Sequence, residues 1–147
     1  VAGREPTQKD STRIVVTADT VIIARDADNH PVVLGKPPTG DDWAETVRRW
    51  FDDYYFGRTH AVATAVCVDV GGLHDERVVE TLVTFDKEGA RWLDWYLSTG
   101  EPRGKAGGYA IQGAGGIFVS KVEGSLSNVV GLPLRELLEM IEPLNTQ

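Results

Sequence analysis

Apolar positions near the start of the chain form two short β-branched runs. Residues 14–24 contain Ile14-Val15-Val16 and Val21-Ile22-Ile23, and such a pattern predicts a buried strand or a pair of strands. Residues 26–31 supply turn-forming side chains, and residues 31–34 form another short apolar run. The pattern therefore predicts a β-hairpin. It follows a polar segment over residues 1–12, which is either a lead-in loop or the tail of a lost element.

Three segments have the three- and four-residue spacing of apolar positions that is typical of amphipathic helices. The first begins at Asp41 or Asp42, where an aspartate can cap a helix, and extends to about Phe56. Its apolar stripe consists of Trp43, Val47, Trp50, Phe51 and Tyr54. The second helix covers residues 88–97 and the third covers residues 132–141. We expect the aromatic stripe of the first helix to pack into the core rather than to bind a ligand.

Three further strands are predicted between and after these helices. Residues 60–70 form an apolar run that Gly71-Gly72 closes, residues 78–85 form its neighbour across a turn, and residues 117–122 form the last strand. No internal repeat or linker interrupts residues 1–147. The order of elements predicts a single α/β (mixed α+β) domain.

The charge of the chain limits the ligands that it can bind. A net charge of −7 argues against a general affinity for nucleic acid, because such an affinity needs clustered Lys and Arg. A small anionic ligand is still compatible with an acidic protein, since a few well-placed cations or a metal ion can hold it. The hydrophobic content of 41% is that of an ordinary globular protein.

The cellular setting is predicted from the cysteine content and from the longest apolar stretches. Cys67 is the single cysteine, so no internal disulfide can form, and a reducing, cytoplasmic environment is expected. No apolar stretch approaches the roughly 18 residues of a membrane helix, and no secretory leader is visible. The chain begins at Val1 and its one methionine is Met140. We therefore expect residues upstream of Val1 to be missing from this sequence.

Two charged residues, one within the predicted hairpin and one just beyond it, are candidates for chemistry. Asp19 interrupts an apolar segment, where an aspartate is unfavourable unless a turn, a helix cap or a functional role explains it. In a functional role its carboxylate would hold a metal ion or activate water. Lys36 precedes a proline that fixes the backbone, and it is either a solvated loop lysine or a cation for a phosphate group.

The segment 104–116 holds six glycines and must either turn sharply or approach something closely. It matches neither a P-loop nor a dinucleotide-binding fingerprint, because no Gly-Lys-Ser/Thr ending opens a helix and a strand follows the loop. One interpretation is a long turn. The other is an anion-binding loop in which Lys105 adds charge and Gln112 offers the donor and acceptor needed to read a pyrimidine edge.

The remaining polar candidates give weaker signals. His30, His60 and His74 have no spacing that is typical of metal ligands. Asn128 lies just before the last predicted helix and is interpreted as a residue that orients the start of that helix.

Together these segments resemble the Maf family of nucleoside triphosphate pyrophosphatases. The order and spacing of the family's motifs extend from about residue 13 to residue 138. The matching segments are Ala18-Asp19-Thr20, Leu34-Gly35-Lys36-Pro37, Gly57-Arg58-Thr59-His60, Thr99-Gly100-Glu101-Pro102, Lys105-Ala106-Gly107, Tyr109-Ala110-Ile111-Gln112-Gly113 and Ser127-Asn128-Val129-Val130-Gly131-Leu132-Pro133-Leu134. The resemblance implies a Maf/ITPase-like fold, with a central mixed sheet flanked by helices and a substrate cleft.

The resemblance also implies an activity and a set of roles. The segment around Gln112 is similar to the branch that hydrolyses dTTP and UTP to the monophosphate and pyrophosphate. By that resemblance Asp19 is the proton acceptor, Thr20 and Gln112 select the base, and Lys36 and Lys105 face the phosphates. A divalent cation, Mg²⁺ or Mn²⁺, is implied, with Asp19 as its candidate ligand. The implied setting is the housecleaning of nucleotide pools or the restraint of septum formation in dividing cells.

Two alternatives stay open at this point. The chain could be a non-catalytic nucleotide-binding or cell-division regulator with the same fold, because the family's opening strand and Ser-x-Ser-Pro-Arg-Arg segment are missing from it. It could also belong to the sister branch that acts on 7-methyl-GTP. The chain departs from the family pattern at Gly104 and Asp86, where an aspartate and a basic residue are usual. A homodimer, or a missing N-terminal segment, would be the partner that completes the protein.

Overall fold

Two long strands, β3 (Thr59–Val70) and β4 (Leu73–Phe85), form the centre of a five-stranded sheet. The structure is a computed structural model that describes residues 13–143, so the lead-in loop predicted over residues 1–12 lies outside the described residues. The other strands are β1 (Ile14–Arg25), β2 (Pro31–Leu34) and β5 (Val119–Glu123). The order across the sheet is β2-β1-β3-β4-β5.

Short turns decide how these strands pair. Gly71 and Gly72 both have positive φ angles, of 55° and 93°, which a two-residue hairpin turn requires. With this turn, the pairing of β3 with β4 begins at Val70 opposite Leu73 and continues along both strands without a break. The prediction that the second strand starts at residue 78 was therefore wrong by five residues, because the polar residues after the turn belong to an exposed hairpin.

The α/β class is confirmed, and the strand directions add a detail to it. All four ladders among the described strands are antiparallel, and the one parallel pairing there is the isolated bridge between Phe56 and Phe85. A mixed sheet was expected. Short turns connect β1 to β2 and β3 to β4, and such turns join antiparallel strands only, which accounts for two of the four ladders.

Helices and single helical turns cover one face of the sheet. The first predicted helix is present as α1 (Trp43–Trp50), which continues into a π-helical turn over Phe51–Tyr55. The second is present as a 3₁₀ turn (Lys87–Trp92) followed by α2 (Leu93–Ser98). The last predicted helix divides into α3 (Leu126–Val130), which was not predicted, and α4 (Leu134–Ile141). No helix within residues 13–143 is long and apolar enough to cross a membrane.

The two faces of the sheet differ in how they are covered. The face that carries Ile22, Val62 and Val83 is buried against the helices and an aromatic cluster. The opposite face leaves Val33 and Val78 exposed at 63% and 74% within the described part of the chain. The prediction of a fully buried strand over residues 14–24 thus holds only for the buried face of its second half.

Candidate functional site

A pocket of about 230 Å³ opens where β1, the glycine-rich loop and the end of α3 meet. It brings together three of the five predicted site residues, Thr20, Lys105 and Gln112. Ile22 and Tyr109 also line it, and Val129 to Gly131 close the side formed by α3. Residues about 90 positions apart in the sequence therefore share one concave site.

Thr20 is fixed in the pocket by a chain of hydroxyl contacts. Its Oγ1 lies 2.9 Å from Oγ1 of Thr64, its register partner on β3, and Thr64 Oγ1 donates to the carbonyl oxygen of Asn128 at 3.4 Å. If Thr64 directs its one hydroxyl proton at Asn128, Thr20 is the donor in the Thr20–Thr64 pair. In that arrangement Thr64 accepts the Thr20 proton, and both lone pairs of the Thr20 hydroxyl are available to a ligand.

Asn128 holds α3 against the sheet. Its side chain is fully buried, and the two protons of Nδ2 are shared among three acceptors: the carbonyl oxygens of Val62 and Val79 at 3.0 and 3.1 Å and Thr81 Oγ1 at 3.0 Å. Two carbonyl acceptors at one end of the amide fix its orientation, since only the nitrogen can donate. Asn128 therefore orients the short helix α3, rather than the start of the last helix.

The glycine-rich loop approaches the protein's own core closely. Gly107 has a φ of +68°, and a Cβ at this position would lie 2.5 Å from both Ile22 Cγ1 and Tyr55 Oη. The Tyr55 hydroxyl donates to the Gly107 carbonyl at 2.9 Å, and the Gly107 amide donates to the carbonyl of Gly35 at 2.8 Å. The loop is thus pinned between the end of β2 and a buried tyrosine.

Glu101 stabilises the second half of the same loop and was not singled out from the sequence. Its carboxylate accepts hydrogen bonds from the amides of Ala114 and Gly115 at 2.7 and 2.9 Å and from the Tyr96 hydroxyl at 3.2 Å. It caps the 3₁₀ turn Ala114–Phe118. The available signal was an acidic residue placed just before a loop rich in unpaired backbone amides.

A buried histidine contacts Tyr109, one of the residues that line the pocket. His60 Nε2 lies 2.7 Å from the hydroxyl of Tyr109, and burial lowers the pKa of His60 to about 3. Burial also raises the pKa of Tyr109 above its usual value. Both side chains are therefore neutral near pH 7, and they act as a rigid support rather than as acid–base groups.

The two predicted lysines are exposed and uncommitted. Lys105 lies on the rim of the pocket, and Lys36 follows Gly35, whose carbonyl is bound by the glycine-rich loop. Neither lysine forms an ion pair with any residue within 13–143. Lys36 does not line the 230 Å³ pocket. It stands two residues beyond Leu34, the register partner of Ile22.

Asp19 lies in the middle of β1, outside the pocket lining. It is the sixth residue of a continuous 12-residue strand, so the turn and the helix cap considered for it are both wrong. Its register partner is Ala65, and strand alternation points its side chain to the face opposite that of Thr20. The carboxylate is exposed, and it has no hydrogen-bond or ion-pair partner among residues 13–143. A free carboxylate of this kind offers the hard oxygen donor that Mg²⁺ and Mn²⁺ prefer.

Comparison with known proteins identifies the family. The model of the family described as Maf-like protein matches residues 2–144. A dTTP/UTP pyrophosphatase of Anaeromyxobacter dehalogenans strain 2CP-1 is 44% identical over 87% of this chain and 63% of its own length. The dTTP/UTP pyrophosphatase of strain 2CP-C is 41% identical, over 95% and 69% of the two chains.

A more distant relative agrees with these matches. A dTTP/UTP pyrophosphatase of Neisseria meningitidis serogroup B is 36% identical over 88% of this chain and 59% of its own length. The chain thus spans 59–69% of the length of these three curated relatives. The family model covers nearly every residue in the sequence, from 2 to 144. The chain belongs to the Maf-like protein family.

Proposed function

We propose that the protein hydrolyses dTTP and UTP to the nucleoside monophosphate and pyrophosphate. The observation that carries the proposal is the pocket in which Thr20 and Gln112 face a common space beside the uncommitted Lys105. The names of the similar proteins support the same reaction. The proposed reaction takes a nucleoside triphosphate and water as its substrates. The single cysteine of the chain accords with a cytoplasmic location for the protein.

The pocket has the groups that a pyrimidine base needs. Uracil and thymine present a carbonyl, an N–H and a second carbonyl along one edge. The Gln112 amide can donate to a carbonyl of this edge, and the free lone pairs of Thr20 can accept from its N–H. Guanine presents a different order of donors and acceptors, so these two residues would leave polar groups unpaired against it. This mismatch favours the pyrimidine substrates over GTP.

Asp19 and Thr20 can act on one substrate only if it crosses the edge of β1. Their side chains point to opposite faces, but β2 pairs with β1 only from Ile22 to Arg25. Within residues 13–143, no strand covers the edge of β1 before Ile22 on that side. We infer that the base occupies the Thr20 side and that the triphosphate passes over this open edge towards Asp19.

The charges along this path suit a polyphosphate. Lys105 lies at the pocket rim. Lys36 follows the end of β2, beside the open edge of β1, so the two lysines lie on either side of the inferred path. Asp19 would orient the attacking water and accept its proton, a role that is typically worth about 10²–10⁴-fold in rate. A Mg²⁺ or Mn²⁺ ion held by the Asp19 carboxylate would neutralise charge on the leaving pyrophosphate.

Pyrophosphate release by the complete gene product tests the proposal. We expect turnover of UTP and dTTP with Mg²⁺ or Mn²⁺, and much lower kcat/KM for GTP and 7-methyl-GTP. Asp19→Asn should lower kcat at least about a hundredfold while UTP binding stays measurable. Asp53→Asn, at an exposed carboxylate on the π-helical turn, is the matched control and should keep full activity.

Three outcomes would count against the proposal. UTP binding without pyrophosphate release would favour a non-catalytic regulator with the same fold. Preferred turnover of 7-methyl-GTP would place the protein in the sister branch. Near-normal activity of Asp19→Asn would remove Asp19 from the reaction, even if UTP proved to be the substrate.

A further inference from the structure

A group of possible metal ligands lies at the far end of the β3–β4 hairpin. Cys67 is the register partner of Glu76, and Asp69 is the register partner of His74. All four side chains therefore project from the same face of the hairpin. Ligand atoms of Cys67, His74 and Glu76 lie within 4.8 Å of one another. The histidines showed no metal-ligand spacing along the sequence, because hairpin register, not a short motif, brings these residues together.

The imidazole of His74 is held in an orientation that suits metal binding. Its Nδ1 lies 2.8 Å from Asp69 Oδ1, which leaves Nε2 directed towards Glu76 Oε2 at 3.7 Å. A carboxylate on one ring nitrogen and a metal on the other is the usual arrangement for a histidine ligand. Two donors at about 2.0–2.1 Å from one tetrahedral ion stand about 3.3 Å apart. A shift of a few tenths of an ångström would therefore place Nε2 and Oε2 around a shared ion.

We propose that Cys67, His74 and Glu76 form a zinc-binding site in which Asp69 orients His74. A thiolate, an imidazole and a carboxylate form a donor set that suits Zn²⁺, whereas Mg²⁺ prefers oxygen donors alone. Three protein ligands leave a fourth position for water. Because two of the ligands lie on β4 and one on β3, the ion would also link the strands near the exposed end of the hairpin.

The site shares no residue with the proposed hydrolytic site. Asp19 is absent from the group, although it lies on the same face of the sheet, two residues from Thr17, the register partner of Cys67. The base-binding pocket lies on the other face. Zinc binding by Cys67, His74 and Glu76 therefore requires none of the residues assigned to base binding. A surface ion pair of His74 with Asp69 and Glu76 is the simpler alternative, and it makes no use of the Cys67 thiol.

Cobalt spectroscopy separates these two interpretations. The 147-residue chain, free of metal and of any histidine tag, is titrated with Co²⁺ and then with Zn²⁺. Cys67 is its single cysteine, so a thiolate-to-cobalt charge-transfer band can arise only from this residue. We expect this band together with visible bands of tetrahedral cobalt, and loss of both when Zn²⁺ displaces Co²⁺.

Variants and a matched control complete the test. Cys67→Ser should abolish the charge-transfer band, His74→Ala should weaken zinc binding at least about tenfold, and Asp69→Asn should weaken it by about ten- to a hundredfold while the band remains. His30→Ala is the control, because His30 also lies near a carboxylate, 3.5 Å from Asp26, but has no thiol beside it. Circular dichroism of each variant checks that it is folded.

The alkylation of Cys67 gives a second measurement that does not depend on cobalt. Stoichiometric Zn²⁺ should protect the Cys67 thiol from iodoacetamide in the wild-type chain but not in His74→Ala, as mass spectrometry would show. Absence of a thiolate band in the wild-type chain, or equal zinc affinity of the wild-type, Cys67→Ser and His74→Ala chains, would overturn the proposal and leave the ion pair as the explanation.

Discussion

The buried His60 should make the stability of the fold depend strongly on pH. His60 is 2% exposed, it is surrounded by the rings of Tyr55, Phe85 and Tyr109, and its Nδ1 has no partner among the described residues. Burial lowers its pKa to about 3, whereas a histidine in the unfolded chain has a pKa near about 6.5. At pH values between about 3 and 6.5 the unfolded chain therefore binds a proton at His60, whereas the folded chain does not.

The sign and size of the effect follow from these two pKa values. Above about pH 6.5 both states are neutral at His60 and the residue contributes no pH dependence. As the pH falls below that value, the unfolded state is protonated first and stability is lost. At pH 5 the free energy of unfolding should be lower than at pH 7.5 by about 2 kcal/mol from this residue alone.

Urea unfolding of wild type and His60→Gln at pH 7.5 and pH 5 measures this contribution. A glutamine can keep a hydrogen bond to the Tyr109 hydroxyl but cannot titrate, so the drop between the two pH values should be smaller by about 2 kcal/mol in the variant. His30→Gln, at an exposed histidine, should retain the wild-type drop. Equal drops in wild type and His60→Gln would refute the assignment of a neutral, buried imidazole.

Four further variants test the pocket and its supports. Gln112→Ala should reduce the kcat/KM preference for UTP over GTP by about ten- to a hundredfold, and an unchanged ratio would reject its role in base selection. Gly107→Ala should cost about 2–4 kcal/mol in urea unfolding, because its Cβ would overlap two core atoms at a positive φ. Gly104→Ala, at positive φ but in open space, should cost only about 1 kcal/mol, so equal losses would contradict the steric argument. Asn128→Leu should cost about 2–4 kcal/mol and raise the KM for UTP, and a stable variant with normal KM would show that α3 does not depend on this amide.

Elements with a long periodic pattern were predictable from the sequence, and short ones were not. The pattern of apolar residues located the cores of the strands and the first helix. Helix α3 escaped prediction because its five residues complete barely more than one turn, which is too short to show a helical period. The start of β4 was missed because its first residues lie in an exposed hairpin, where the side chains follow no buried pattern.

The site was predictable in its residue types but not in its geometry. Family resemblance singled out Thr20, Lys105 and Gln112, and the structure places all three around one pocket. The sequence places the acidic Glu101 before the glycine-rich loop, but it could not show which amides the carboxylate binds, because those contacts join residues 13 and 14 positions apart. The face to which Asp19 points also depends on strand register, which tertiary pairing sets.

The short length of β2 is what makes the inferred substrate path possible. β2 ends at Leu34, and the next carbonyl, that of Gly35, accepts from Gly107 instead of from β1. The backbone is thereby drawn towards the glycine-rich loop, and the edge of β1 before Ile22 is left without a neighbour on that side among the described residues. Because successive side chains of a strand point to opposite faces, the thickness of the sheet would normally separate the Asp19 carboxylate from the Thr20 hydroxyl. Under the proposed function, one extended nucleotide would contact both residues at this edge, and a longer β2 would close that path.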